Sequence, residues 1–180
     1  MIDRVNNSVE QLVDEILVMD CQSGKVKALE ILVSRWQKHL WQYAYRLTGN
    51  VEGAWDVTQE SWLGIIKGLR KLHDPATFKA WAYRITTNKS MDWIRKSKTA
   101  KRLSIEEIQD CKCEEKEDTG VKELLEKLDV RKKAVLSLYY FEQLSVPEIS
   151  IALNIPSGTV KSRLHIARKE LKELWQQHFE

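Results

Sequence analysis

Residues 145–171 read SVPEISIALNIPSGTVKSRLHIARKEL, and the fold turns on how that stretch is parsed. Ser145-Val146-Pro147-Glu148 places a capping Ser, an early Pro and a Glu at the third helical position, the pattern of a capping box. Ile149, Ala152 and Leu153 then share one inward face. Asn154-Ile155-Pro156 breaks the chain, and Ser157 is expected to cap a second, longer helix. A helix, a short turn and a longer helix with a basic exposed side form a helix-turn-helix arrangement.

At about 100° per residue, Val160, Leu164, Ala167 and Leu171 fall within a sector of about 60° and form a buried stripe. Gly158, Ser162, His165, Ile166 and Lys169 point away from it, with Lys161 and Arg168 on one flank and Arg163 on the other. Such a helix fits a major groove, its first turns near base edges and its flanking cations on phosphates. At its start, Gly158 and Thr159 bring backbone N–H groups and the positive dipole end toward phosphate. A solvated basic helix accounts for the cations alone, but not for the capped helix and turn before them.

Outward from this stretch, charge is unevenly distributed. Net charge over 180 residues is only +3, yet residues 79–102 carry eight Lys/Arg against the single Asp92. Residues 103–156 hold twelve acids and seven bases, and residues 157–172 five bases and one acid. Two basic blocks separated by an acidic segment imply two contacts with a polyanion. Within the acidic part, SIEEIQDCKCEEKEDTG (104–120) has seven acids, two bases and almost no large apolar residues, too few to fold alone. It reads as a flexible acidic linker, with an exposed loop between packed helices as the alternative. Fully extended, residues 100–120 would span roughly 70 Å at ~3.3–3.6 Å per residue.

The N-terminal half reads as four helices. Ser8-Val9-Glu10-Gln11 has capping-box spacing, and a first helix is expected to begin there and stop by Gly24. Further helices are expected over 26–47, 51–72 and 77–96, closed by Gly49-Asn50, by His73-Asp74-Pro75 and by the basic run after Trp93. Six of the seven Trp lie between positions 36 and 93, which places an aromatic-rich core among these helices. Two short helices, over 121–128 and 130–141, precede the helix-turn-helix. With only seven Gly and three Pro, the chain is expected to be all-α. Two small domains are expected, an N-terminal helical bundle over 1–98 and a C-terminal helix-turn-helix domain over 121–180, joined by the linker over 99–120.

Several functions are disfavoured. No apolar run approaches the ~18 residues of a membrane span, and MIDRVNNSVEQ does not resemble a secretory leader. No Ser/His/Asp set, metal quartet or GxxxxGK[ST] loop is present, so neither catalytic residues nor cofactors are expected. Cys21, Cys111 and Cys113 read as reduced cytoplasmic thiols. Cys111 and Cys113 also leave redox or metal sensing open, although no second Cys/His pair lies nearby to complete a zinc site.

In the N-terminal half, ALEILVSRWQKHLWQYAYRLTGN, AWDVTQESWLGIIKGL and ATFKAWAYRITTNKSMDWIRK follow one another. Together with LSVPEISIALNI and PSGTVKSRLHIARKEL, they resemble, in order and separation, the extracytoplasmic-function (ECF) sigma factors of bacterial RNA polymerase. The resemblance covers nearly all of residues 26–175. It implies a promoter-specificity factor that binds core polymerase through the β′ clamp helices and the β flap, promotes melting and is restrained by an anti-sigma factor. The rival reading is a helix-turn-helix regulator with an N-terminal dimerisation or sensing module.

The resemblance assigns roles by position. Asp56, Gln59 and Glu60 match the D-x-T-Q-E stretch that docks on the clamp helices. Asp56 and Glu60 are i,i+4 and share a face, which a simple solvated surface explains equally well. The fourth helix resembles the −10 reader: Arg84, Asn88 and Arg95 lie within about 40° on one polar stripe. Lys79, Lys89, Lys96 and Lys98 would hold the DNA backbone, and Asp92 would orient Asn88 and Arg95. The loop 73–78 corresponds to a pocket for an extruded −10 base. Trp81 and Trp93 are stacking faces for melted strand or core residues. Ser157, Gly158, Thr159, Lys161, Ser162, Arg163, His165 and Arg168 would read the −35 element. Two departures stand out: Trp55 sits where the family is usually acidic, and Ile166 where many members carry Arg.

Overall fold

Helix ends are set by local chemistry that can be followed along the chain. The computed structural model describes residues 2–103 and 119–179. These form α1 (Ile2–Gln22), α2 (Val26–Thr48), α3 (Val51–Leu69), α4 (Phe78–Leu103), α5 (Thr119–Glu126), α6 (Val130–Leu136), α7 (Val146–Leu153) and α8 (Ser157–Phe179), with no strand among the described residues. Gly49 ends α2 at φ 66°, a left-handed conformation that glycine adopts without a Cβ penalty, and its N–H reaches the Tyr45 carbonyl at 2.8 Å. Asn50 then starts α3, its side-chain oxygen accepting from Gly53 N–H at 2.7 Å. Asp74 caps the short turn Pro75–Thr77 in the same way.

Several helix bounds differ from the sequence reading, and α3 stops at Leu69 where the helix was expected to reach 72. The α1 backbone is already helical at Ile2 and passes through Ser8 without stopping. The aliphatic period runs back through Val5 and Ile2, so the Ser8–Gln11 spacing is not a helix start. The α4 helix continues beyond Lys96 to Leu103, because nothing in SKTAKRL breaks it. The helix expected over 130–141 keeps those bounds but widens after Leu136 into a π-helical turn over Ser137–Phe141, with Glu142 N–H reaching the Ser137 carbonyl at 3.1 Å. Most of the expected linker, residues 104–118, lies outside the described residues, as do Cys111 and Cys113.

The first four helices enclose an aromatic core. Trp36 meets Phe78 edge-on at 5.4 Å, and Tyr43 meets Tyr83 edge-on at 5.1 Å. Around them Leu32, Leu40 and Ile65 are fully buried. In the C-terminal half Leu136, Leu138, Leu144, Ile149, Val160 and Leu164 form the core, and Ala152 is buried as expected. The capping box forms as expected: Ser145 Oγ accepts from Glu148 N–H, and the Glu148 carboxylate accepts from Ser145 N–H at 2.7 Å. Asn154 closes α7 in the left-handed region at φ 52°.

Both helical domains expected from the sequence are present, and α7 of the second packs against α4 of the first, with a continuous apolar cluster running from Val18 through Tyr83 to Leu164. The two helical domains therefore share a buried seam, with Glu142 at its polar centre.

Candidate nucleic-acid interface

On α8, Val160, Leu164 and Ala167 are buried and Leu171 is half-buried, which fixes the outward face. Ser157, Gly158, Lys161, Ser162, His165 and Arg168 are exposed, and Thr159 and Arg163 are partly so. The Pro156 carbonyl accepts from Thr159 N–H (2.8 Å) and Val160 N–H (3.1 Å), so Ser157 is the first residue of the helix and not its cap. A Cβ on Gly158 would meet no atom within 4 Å. Packing within the protein therefore does not demand glycine there, whereas close approach of an outside group would.

Arg168 is not a free flank cation. Its Nε donates to the Tyr140 hydroxyl at 2.8 Å, and the guanidinium lies 5.1 and 5.5 Å from the Tyr139 and Tyr140 ring centres. Tyr140 is itself exposed. Its place beside the basic helix was not visible in the sequence, since 28 residues separate the pair. Ile166 is half exposed on the outer face, where an apolar group can meet a thymine methyl.

On α4, Arg84, Asn88, Arg95 and Lys96 are exposed, and Lys79 and Lys89 are partly so. Arg95 donates to Asp92 at 2.9 Å, an intrahelical pair that orients the guanidinium. Thr86, Thr87 and Ser90 are buried, with hydroxyls bonded to carbonyls one turn back, so they support the helix from behind. Trp81 packs on the core beside Gly68, and Trp93 lies over Gly53. Pro75, Ala76 and Phe78 of the expected base-pocket loop, with Lys79 just after it, line a cleft of about 390 Å³. Phe141, Glu142, Gln143 and Glu148 of the C-terminal half line it too, as do Glu10 and Asp14 of α1.

On α3, Asp56, Gln59 and Glu60 are exposed together. Lys89 of α4 donates to Glu60 at 2.7 Å and holds its carboxyl below the usual range, which ties this acidic face to the neighbouring basic helix. Beside the acids, Trp55, Leu63 and Ile66 expose 42, 54 and 45% of their surfaces. Trp55 leans one side on Trp41 at 5.7 Å and leaves the other open. The sequence reading found the acids and missed this apolar companion stripe.

The junction between the domains is the least expected feature. The Glu142 side chain is 4% exposed. Arg46 of α2 donates to one of its oxygens at 2.7 Å, and the Tyr83 hydroxyl of α4 donates to the other. His39 Nδ1 stands 3.8 Å away at the rim, and the Arg46 guanidinium covers the Phe141 ring at 4.2 Å. Burial, reinforced by Glu142, pushes the Tyr83 hydroxyl well above its ordinary range, so it stays a donor. Gln143, at φ 54°, turns the chain sharply after the carboxylate. The described residues contain no group of three or more His, Cys, Asp or Glu able to hold a metal, and Cys21 is a half-buried thiol.

Both halves of the chain have counterparts among known proteins. Residues 32–100 match the family described as sigma-70 region 2, and residues 120–171 match sigma-70, region 4. The ECF RNA polymerase sigma factor SigW of Bacillus subtilis is 28% identical over 174 residues, covering 87% of this chain and 93% of that protein. SigE of Mycolicibacterium smegmatis is 29% identical over 158 residues, covering 82% and 61%. Among solved structures, CnrH, determined with the cytosolic domain of CnrY, superposes with a TM-score of 0.72 at 28% identity, covering 92% of this chain and 98% of that one. The sigma factor RpoE of Bartonella quintana, determined with the anti-sigma factor NepR, shares the fold at 0.72 and 20% identity, covering 84% and 98%.

Proposed function

The chain belongs to the ECF sigma factors of the sigma-70 family, and from that premise we propose how its surfaces divide the work of a promoter-specificity factor. The observation that carries the reading is the coincidence of each family match with an exposed cationic helix, α4 in one and α8 in the other. Residues 1–98 form the unit that binds core polymerase and the −10 element, and 121–180 the unit that reads the −35 element. Residues 99–120 connect them, the first few as the end of α4.

The acidic face of α3, with Asp56, Gln59 and Glu60, docks on the β′ clamp helices, and the C-terminal unit meets the β flap. Asn88 and Arg84 read −10 base edges, Arg95 is aimed by Asp92, and Lys79 and Lys96 hold phosphates. On α8, Lys161, Ser162, Arg163 and His165 face the −35 groove, and Ser157, Gly158 and Thr159 offer the helix N-terminus to phosphate. Arg168 contributes after its release from Tyr140, or through the Tyr140 hydroxyl. The work is binding and strand separation, without bond chemistry in the chain itself. No helix among the described residues is long and apolar enough to cross a membrane, and the cytoplasm, where polymerase resides, is the compartment this reading requires. An anti-sigma factor is the expected restraint.

Promoter engagement requires the packed form to open. A packed chain of this length has a radius of gyration of roughly 16 Å. The −10 and −35 elements lie about 25 base pairs apart, roughly 85 Å of duplex at ~3.4 Å per pair. Helices α4 and α8 therefore cannot reach both elements while α7 is seated on α4.

The direct test of the surface assignment is salt-dependent binding of the polymerase-bound protein to a −35 duplex. Lys161→Ala and Arg163→Ala are each expected to weaken binding about 5- to 50-fold. Where the substituted side chain neutralises a phosphate, the slope of log K against log salt falls by about one. Unchanged affinity and slope in both variants would remove α8 from the groove.

A further inference from the structure

Over residues 9–22, α1 turns Leu17 and Val18 into the protein, while a second apolar stripe faces solvent. Val9, Leu12, Ile16 and Met19 expose 53, 55, 47 and 47% of their surfaces, with Val13 beside them. Their spacing of three, four and three residues is an a–d seam, and the sequence carries the same spacing back to Val5 and Ile2. β-Branched residues at a (Val9, Ile16) with Leu12 and Met19 at d are the choice that favours pairing with one further helix. A contiguous exposed stripe of this kind marks an interaction surface.

Charge narrows the partner. Residues 9–22 contain Glu10, Asp14, Glu15 and Asp20 and no Lys or Arg. Asp14 is taken by Arg35 at 2.9 Å and Asp20 by Lys25 at 2.8 Å, both from outside α1. Flanking the seam are Glu15 at g, which accepts from Gln11 at 3.2 Å and is partly exposed, and Asp20 at e, partly exposed within its surface pair with Lys25. In parallel self-pairing, Glu15 at g would face Asp20 at e of the second copy, a like-charge contact. A helix with Lys or Arg at its own e and g positions meets attraction at the same places. The stripe also lies before residue 32, outside both family-matched regions and apart from the α3, α4 and α8 surfaces assigned above.

We propose that the Val9–Leu12–Ile16–Met19 stripe of α1 is a docking seam for a basic amphipathic helix of another protein, paired with α1 as a two-stranded coiled coil. The inference stands independently of the promoter reading.

The test uses the full chain and two synthetic three-heptad peptides with Ile at a and Leu at d, one with Lys and one with Glu at e and g. Titration calorimetry is expected to give micromolar binding of the Lys peptide and at least tenfold weaker binding of the Glu peptide. Leu12→Asp and Ile16→Asp, both at exposed positions, are each expected to weaken the Lys peptide at least tenfold, with helicity and core-polymerase affinity unchanged. Equal binding of the two peptides, or binding of neither, overturns the proposal. A concentration-dependent dimer of the chain that either variant abolishes overturns it in favour of a second copy. Loss of core-polymerase affinity in both variants overturns it in favour of a polymerase contact.

Discussion

Glu142→Ala is expected to release the C-terminal helices from the N-terminal bundle without unfolding either. The substitution removes the carboxylate that Arg46 and Tyr83 both address, in a site where Glu142 and Arg46 are 4 and 13% exposed. Breaking a buried pair by deleting one partner costs up to about 3–5 kcal/mol. The Tyr83 hydroxyl loses its acceptor as well, at about 1–3 kcal/mol for a stranded buried donor. Opening of the α4–α7 seam, which would let water reach this site, is the expected response. Small-angle scattering is expected to show the radius of gyration rising well above the roughly 16 Å of a packed chain of this length. Because only the open form spans a promoter, raising its population raises apparent affinity for the polymerase–promoter assembly in proportion. Glu142→Gln keeps the shape and an acceptor for Tyr83, and a smaller expansion is expected. An unchanged scattering curve and thermal midpoint for Glu142→Ala would show that the apolar contact of α7 with α4 alone holds the halves together.

Gly53→Ala is expected to lower stability by about 1–3 kcal/mol, a cost typical of overpacking. A Cβ there would stand 2.3, 2.6 and 2.7 Å from three atoms of the Trp93 indole. That ring packs on the Ala44–Ala54–Val57 cluster, so its retreat opens the α3–α4 contact. Replacing glycine inside a helix would otherwise gain up to about 1 kcal/mol, and the steric term outweighs it. At ~2–4 °C per kcal/mol for a chain of this size, the midpoint is expected to fall by several degrees in a calorimetric scan. Gly158→Ala is the matched control, with open space around its Cβ. It is expected to leave the midpoint unchanged or raised while weakening −35 binding. A fall in stability at Gly158 and none at Gly53 would reverse the assignment.

The parts of this protein legible in its sequence are those specified locally. Ser145 and Glu148 announce the start of α7 within four residues, and Asn154 its end. The stripe Val160–Leu164–Ala167 fixes which side of α8 faces outward, and the structure keeps that side exposed. Gly49 and Asn50 mark the α2–α3 corner for the same reason. What escaped the sequence depends on distant pairing. Glu142 sits in the ordinary-looking run FEQLS, and its partners Arg46 and Tyr83 are 96 and 59 residues away. Arg168 read as a free cation until Tyr140 was beside it. Ser8 misled because a capping pattern is a local option that a continuing aliphatic period overrides. The −10 and polymerase roles proposed for Arg84, Asn88 and Asp56 rest on family resemblance, since these residues carry no local pattern that separates them from a solvated face.

The central claim is that this chain gives core polymerase its choice of promoter, with α4 and α8 reading separate elements. Run-off transcription with purified bacterial core enzyme, on templates with intact, −10-scrambled or −35-scrambled promoters, measures this most directly. A discrete transcript is expected only when the chain is added to the intact template, and its loss when either element is scrambled. Failure to associate with core enzyme, or tight binding to paired half-sites with no polymerase present, would contradict it.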